Sequence, residues 1–175
     1  MSLRLSILAF AATLSAASAT MAQQTPGENR TTAFAPALES FEAKMAADCA
    51  EFEDGSLEIN QGGLQTVADF NGDGITDPIL DTGVYTCSSM ASFNSGSGGR
   101  LIVVFVSSPQ AEHGYQRFEF LGEGNITTSF GDRSIFLLAE HGTNCGGSGY
   151  EPCFGAYSWS EGRFASAGGT VEASE

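Results

Sequence analysis

The run "LIVVFV", residues 101–106, contains no polar side chain. A strand with one wet face alternates apolar and polar residues, so this unbroken run is expected to be a central strand covered on both faces. Material must therefore lie on each side of the sheet that holds it. Further strands are expected at 57–60, 64–70, 78–82, 115–121, 126–130, 134–140, 156–160 and 163–165, joined by Gly, Asn and Ser clusters, with 101–107 among them. "SWSEGRF" reads as a tight hairpin. The 22 glycines and 13 phenylalanines fit a turn-rich sheet with a large aromatic core.

Before residue 55 the period is that of a helix. Phe34, Leu38, Phe41, Met45, Cys49 and Phe52 follow one another at steps of 4, 3, 4, 4 and 3, which puts all six on one face. Glu39, Glu42, Lys44 and Asp48 fall on the other, and Gly55 is expected to stop the helix. The polar segment 23–33, with Pro26 and Gly27, is expected to be a loose tail. The class is thus mainly β (α+β): an antiparallel sheet or compact β domain with one N-terminal helix, spanning 34–175.

Residues 1–22 have the layout of a secretory signal: Arg4, an apolar run, then small residues before a cut after Ala22, with Ala19 as the alternative. The run is too short for a membrane anchor. The expected location is periplasmic or secreted, and four cysteines in an exported chain read as two disulfides. Cys145 and Cys153 bracket a short Gly-rich loop and are the expected pair, leaving Cys49 to Cys87. In the chain-entropy view the two closures are worth about 2.6 and 3.9 kcal/mol. The formal charge of −14 argues against nucleic acid and anionic membrane surfaces as partners, since both need a cationic face.

That charge has a focus. "VADFNGDGITDPIL", residues 67–80, places Asp69, Asn71, Asp73 and Asp77 at positions 1, 3, 5 and 9 of a loop, with the Ile75 carbonyl at position 7. Calcium takes six to eight oxygens at about 2.3–2.6 Å, and a sharply turned chain aims those positions inward. Gly74, at position 6, permits the turn. Three neighbouring carboxylates repel one another unless a counter-charge is present, and no Lys or Arg lies in sequence between Lys44 and Arg100. Magnesium, which keeps its waters and a stricter octahedron, fits less well. The alternative is a plain turn: Asn71-Gly72 and Asp73-Gly74 are hairpin dipeptides, but such a turn needs neither Asp69 nor Asp77.

The same 14 residues resemble the calcium loop of FG-GAP and VCBS-type repeats in bacterial exported proteins. The resemblance implies Asp69, Asn71, Asp73 and Asp77 as side-chain ligands and Ile75 as the carbonyl ligand of Ca2+. It departs from the EF-hand pattern, because Leu80 stands where a bidentate Glu belongs. One copy does not make a propeller. A weaker echo links residues 66–87 to 127–145: each has a strand ending in Phe, a turn with Gly and Asp, an apolar strand, and then a Cys. Asp132 is the acid of the second unit.

Catalytic patterns are thin. The two histidines are His113 and His141, and His141 precedes Cys145 by four residues, but a disulfide-bonded Cys145 is no nucleophile. No HExxH or GxSxG occurs. Asn29 and Asn125 head glycosylation sequons, idle in a bacterial setting. No catalytic residue is assigned. The expected function is an exported calcium-binding domain with a structural ion, a non-enzymatic binding or envelope protein with an unidentified protein or polysaccharide partner. The alternative is an extracellular hydrolase with a structural calcium.

Overall fold

The computed structural model describes residues 26–151 and 153–166. The expected signal segment, 1–22, lies outside the described residues, as do Gln23–Thr25 of the expected tail. The helix α1 (Pro26–Ala50) is followed by strands β1 (Leu57–Ile59), β2 (Leu64–Ala68), β3 (Asp77–Asp81), β4 (Tyr85–Cys87), β5 (Ser95–Gly96) and β6 (Gly99–Ser107). Then come β7 (Tyr115–Gly122), β8 (Gly124–Phe130), β9 (Arg133–Glu140), β10 (Cys153–Ser160) and β11 (Arg163–Ser166). All pairings are antiparallel and form three sheets, so the mainly β class with one N-terminal helix holds.

The apolar run sits where its lack of alternation requires. β6 pairs with β3 and with β7, and its residues divide between two cores. Val103 and Phe105 face α1, together with Phe41, Met45, Cys49 and Leu80. Ile102, Val104 and Val106 face the second sheet, ordered β11-β10-β9-β8, together with Phe136 and Leu138. Helix, sheet and sheet make three layers around two cores.

Aromatic rings fill both cores. Phe41 and Phe34 meet Phe105 edge-on at 5.9 and 5.0 Å. On the other side Phe118, Phe120, Tyr157, Trp159 and Phe164 pack around Phe136. The ring contacts on that side converge on Phe136 and Phe164, which ties the two sheets at one point.

Three sequence expectations are corrected in detail. The helix begins at Pro26, through most of the segment expected as tail; proline is well placed in a first turn, where its missing N–H would have no partner. The helix ends at Ala50, so Phe52 leaves the buried face and is 47% exposed. Gly55 does not supply the turn: Glu53 and Asp54 take the positive φ values, 50° and 54°. What Gly55 supplies is clearance, since a Cβ there would lie 2.7 Å from the Cys49 carbonyl oxygen and 2.8 Å from Cys87 Sγ. The disulfides are Cys49–Cys87 and Cys145–Cys153. The first staples α1 to β4, and β4 in turn pairs with β1.

Candidate metal centre

The acidic stretch is the connection between β2 and β3. Ala68 and Asp77 are the last paired residues, so the chain must turn back through 69–76. Gly72 and Gly74 adopt φ of 76° and 82°, and a Cβ at either would meet nothing within 4 Å. The backbone conformation, rather than crowding, is what calls for glycine.

Each carboxylate holds a different part of the loop. Asp69, at the mouth, accepts the Gly72 N–H on Oδ1 at 2.7 Å and the Gly74 N–H on Oδ2 at 2.9 Å. Asp73 accepts the Ile75 N–H on Oδ1 at 2.8 Å. Its Oδ2 accepts from the Ser107 hydroxyl and, at 3.0 Å, from Asn71 Nδ2. Asn71 Nδ2 also donates to the Ser107 carbonyl at 2.9 Å, and Asn71 Oδ1 accepts the Asp73 N–H at 3.1 Å. Asp77 is fully buried, with 0% exposure; it accepts the Phe70 N–H at 2.7 Å and the Ser107 N–H at 2.8 Å. Thus one residue clamps the neck of the loop to the end of β6.

Burial and hydrogen bonding pull these acids apart. Burial pushes the Asp77 carboxyl up to about 6, against the pull of the Ser107 and Phe70 N–H groups. At Asp73 burial acts in the same sense, but bonds from Ser107, the Ile75 N–H and Asn71 outweigh it and hold that carboxyl below its usual range. The ion pairs among the described residues are Lys44–Asp48, Arg100–Asp81, His113–Glu112 and Arg117–Glu119. None reaches Asp69, Asp73 or Asp77. The Asn71 amide and the Ser107 hydroxyl are what soften the negative charge here.

The donor set is oxygen only and rich in carboxylate, the chemistry of a hard cation. A carboxylate oxygen has two lone pairs, so accepting one N–H does not exhaust it. The arrangement itself is a hydrogen-bonded loop: among the described residues no three His, Cys, Asp or Glu side chains gather closely enough to hold a metal. Asp69, Asn71, Asp73, Ile75 and Asp77 are brought together at one turn, then, with the four polar side chains engaged by main-chain N–H groups, by Ser107 and by one another. Two further residues of this neighbourhood were not legible in the sequence. Ser107 ends β6, and Ser134 of β9 donates to the Asp69 carbonyl at 2.8 Å. Each lies far along the chain, with no spacing signal to link it to the loop.

The catalytic candidates do not assemble. Cys145 is bonded to Cys153, His141 Nδ1 lies 2.8 Å from Thr143 Oγ1, and His113 neighbours Glu112. A depression of about 440 Å³ is lined by Gly63, Gln65, Asp81, Gly83, Val84 and Arg100. Its one carboxylate, Asp81, is held bidentately by Arg100 and below the usual carboxylate range: burial opposes this, and the Arg100 bonds and the Gly83 N–H overcome it. Comparisons of the chain with known protein families, with curated proteins and with solved structures find no match. Among the described residues no helix is long and apolar enough to cross a membrane.

Proposed function

We propose that this chain is an exported calcium-binding domain of the FG-GAP/VCBS-like kind, in which the ion is structural and the molecule binds or scaffolds rather than catalyses. The observation that carries the reading is the loop's charge: three carboxylates within nine residues, none of them in an ion pair among the described residues. The two disulfides fit an oxidising compartment, which favours the periplasm or the exterior. The residues that would hold the ion are Asp69, Asn71, Asp73 and Asp77, with the Ile75 carbonyl, once the carboxylates that now accept main-chain N–H groups close around it. Bound there, a dication would supply the counter-charge that the neutral Asn71 amide and Ser107 hydroxyl do not. Such a ligand set leaves only one or two positions for water, and so little room for Lewis-acid chemistry.

Thermal melts with and without calcium test this. Binding to the folded state alone at ~100-fold excess over Kd is worth ~2.7 kcal/mol, or roughly 5–10 °C for a domain of this size. Asp73→Ala should abolish the shift, and Asp132→Ala, in the β8–β9 turn, should keep it. A wild-type melt unchanged by calcium across the millimolar range overturns the proposal and leaves the loop as a hydrogen-bonded turn.

A further inference from the structure

β8 is the terminal strand of its sheet, paired only with β9 among the described strands. An open strand edge invites another strand, and proteins blunt such edges with charge, shortness or bulges. The other edges here have such devices. β7 carries Arg117 and Glu119, the pairing of β2 is broken between Gln65 and Ala68, and β11 has four residues and opens with Arg163. β8 has none of them. Its seven residues, GNITTSF, include no charge and no proline, and they pair with β9 without a register shift.

Two features of β8 go beyond a missing guard. Ile126 and Phe130 are 67% and 81% exposed, on the outward face that also carries Phe154, itself 70% exposed. The inward face holds the buried side-chain oxygens that lack any hydrogen-bond partner among the described residues: Asn125 Oδ1 and Thr127 Oγ1. A buried polar atom without a partner costs about 1–3 kcal/mol, so β8 is held less firmly than its pairing with β9 alone would suggest.

We propose that a second copy of this chain adds antiparallel to β8, edge to edge, about a two-fold axis at Thr127. This register uses the whole strand. It sets Thr127 against Thr127 of the second copy and Asn125 against its Ser129, polar side chain beside polar side chain on the inward face. Ile126 falls opposite Thr128. The acids that flank the strand, Glu123 and Asp132, fall opposite Gly131 and Gly122, and two chains of net charge −14 meet without opposed carboxylates. The interface is isologous, as a two-fold pair requires.

Edge pairing of one short strand buries less than about 1,200 Å², the range of weak association, so the measurement belongs at high concentration. Sedimentation equilibrium of the disulfide-intact chain should show the mean mass rising toward twice the monomer between about 10 and 500 µM. Ile126→Lys and Thr128→Lys, both at exposed outward positions, should each hold the chain monomeric with an unchanged melt. Gln116→Lys on β7 should leave the dimer intact. Under oxidised glutathione, Thr127→Cys should form a disulfide-linked dimer: two thiols lose two protons and two electrons to the glutathione disulfide. A wild-type chain monomeric throughout the range overturns the proposal, as does a dimer that survives both lysine variants or fails to cross-link through position 127.

Discussion

The hairpins β2–β3 and β8–β9 are built on the same plan and differ at the turn. Both place an inward phenylalanine beside the core between the sheets, Phe70 just past β2 and Phe136 on β9, and these two rings meet edge-on at 6.2 Å. In β8–β9, Phe130 pairs with Arg133, so two residues close the turn, with Gly131 at φ 64°. In β2–β3 the paired residues are Ala68 and Asp77, and an eight-residue loop of main-chain N–H groups is gathered by carboxylates. The short turn returns the chain with two residues, one of them a glycine. The long one gathers its main-chain N–H groups with acids, and so concentrates three carboxylates where the short turn has Asp132 alone. Asp132, the acid of the short turn, has no corresponding task.

The largest effect should come from the feature the hairpins share. Phe136 is buried against Phe70, Phe120, Tyr157 and Phe164, so Phe136→Ala should cost ~3–5 kcal/mol in urea denaturation. Phe130→Ala, in the same hairpin but exposed, should stay within ~0.5 kcal/mol. Equal costs would mean that the outward face of the second sheet is covered.

The next effect separates the turns. Asp77→Ala leaves the Phe70 and Ser107 N–H groups without their acceptor at about 1–3 kcal/mol each, and because removing a buried carboxyl recovers part of that, the cost should be ~2–4 kcal/mol even in a chelator. Asp132→Ala should cost under ~0.5 kcal/mol. If Asp77→Ala is as mild as Asp132→Ala, the carboxylate does not hold the neck of the loop and the two turns are equivalent in all but length.

Arg100 joins the hairpins at their other end. Its guanidinium holds Asp81 at the end of β3 and donates through Nη1 to the Glu123 carbonyl just before β8. Arg100→Gln should cost about 1–2 kcal/mol at pH 7, with allowance for a partly exposed pair. The Asp81 carboxyl is held below its unfolded value, so its stabilisation is fully present above about pH 5 and is lost as pH falls through the folded pKa. Stability curves of wild type and Arg100→Gln should therefore lie apart at neutral pH and converge in acid. Parallel curves would mean that the Arg100 contribution comes from packing.

What could be read from the sequence follows the same division. Period-2 and unbroken apolar patterns located β6 and its neighbours because burial selects those residues whatever the partner strand is. β4 and β5 carry too few residues for a period; β4 is placed by its Cys87 disulfide and its pairing with β1. The helix stripe held from Phe34 to Cys49 and failed at Phe52, because the chain leaves the helix one residue after the disulfide. In the loop, Asp69, Asn71, Asp73 and Asp77 stood out by spacing. Ser107 and Ser134 did not, because the contacts that make them matter span 34 and 65 residues and exist only after three strands have paired.

Those two serines give the smallest and most discriminating effect. Ser107 donates to the charged Asp73 carboxylate, whereas Ser134 of the second hairpin donates to the neutral carbonyl of Asp69. Each Ser→Ala change removes one hydroxyl, and without calcium each should cost about 0.5–1.5 kcal/mol, Ser107 the more because its acceptor is charged. The two should part when calcium is added. A cation bound at the loop would meet the need of the Asp73 carboxylate that the Ser107 hydroxyl now serves, so the cost of Ser107→Ala should shrink. The cost of Ser134→Ala should not change, since a main-chain carbonyl outside the ligand set gains no new partner. The four melts form a thermodynamic cycle between ligand and mutation, and its coupling term belongs to the two loop residues that Ser107 Oγ touches, Asp73 and Asn71. If the cycle closes to zero for both serines while calcium still raises the melting temperature, the ion binds elsewhere on this acidic chain, and the long turn differs from the short one only in its hydrogen bonds.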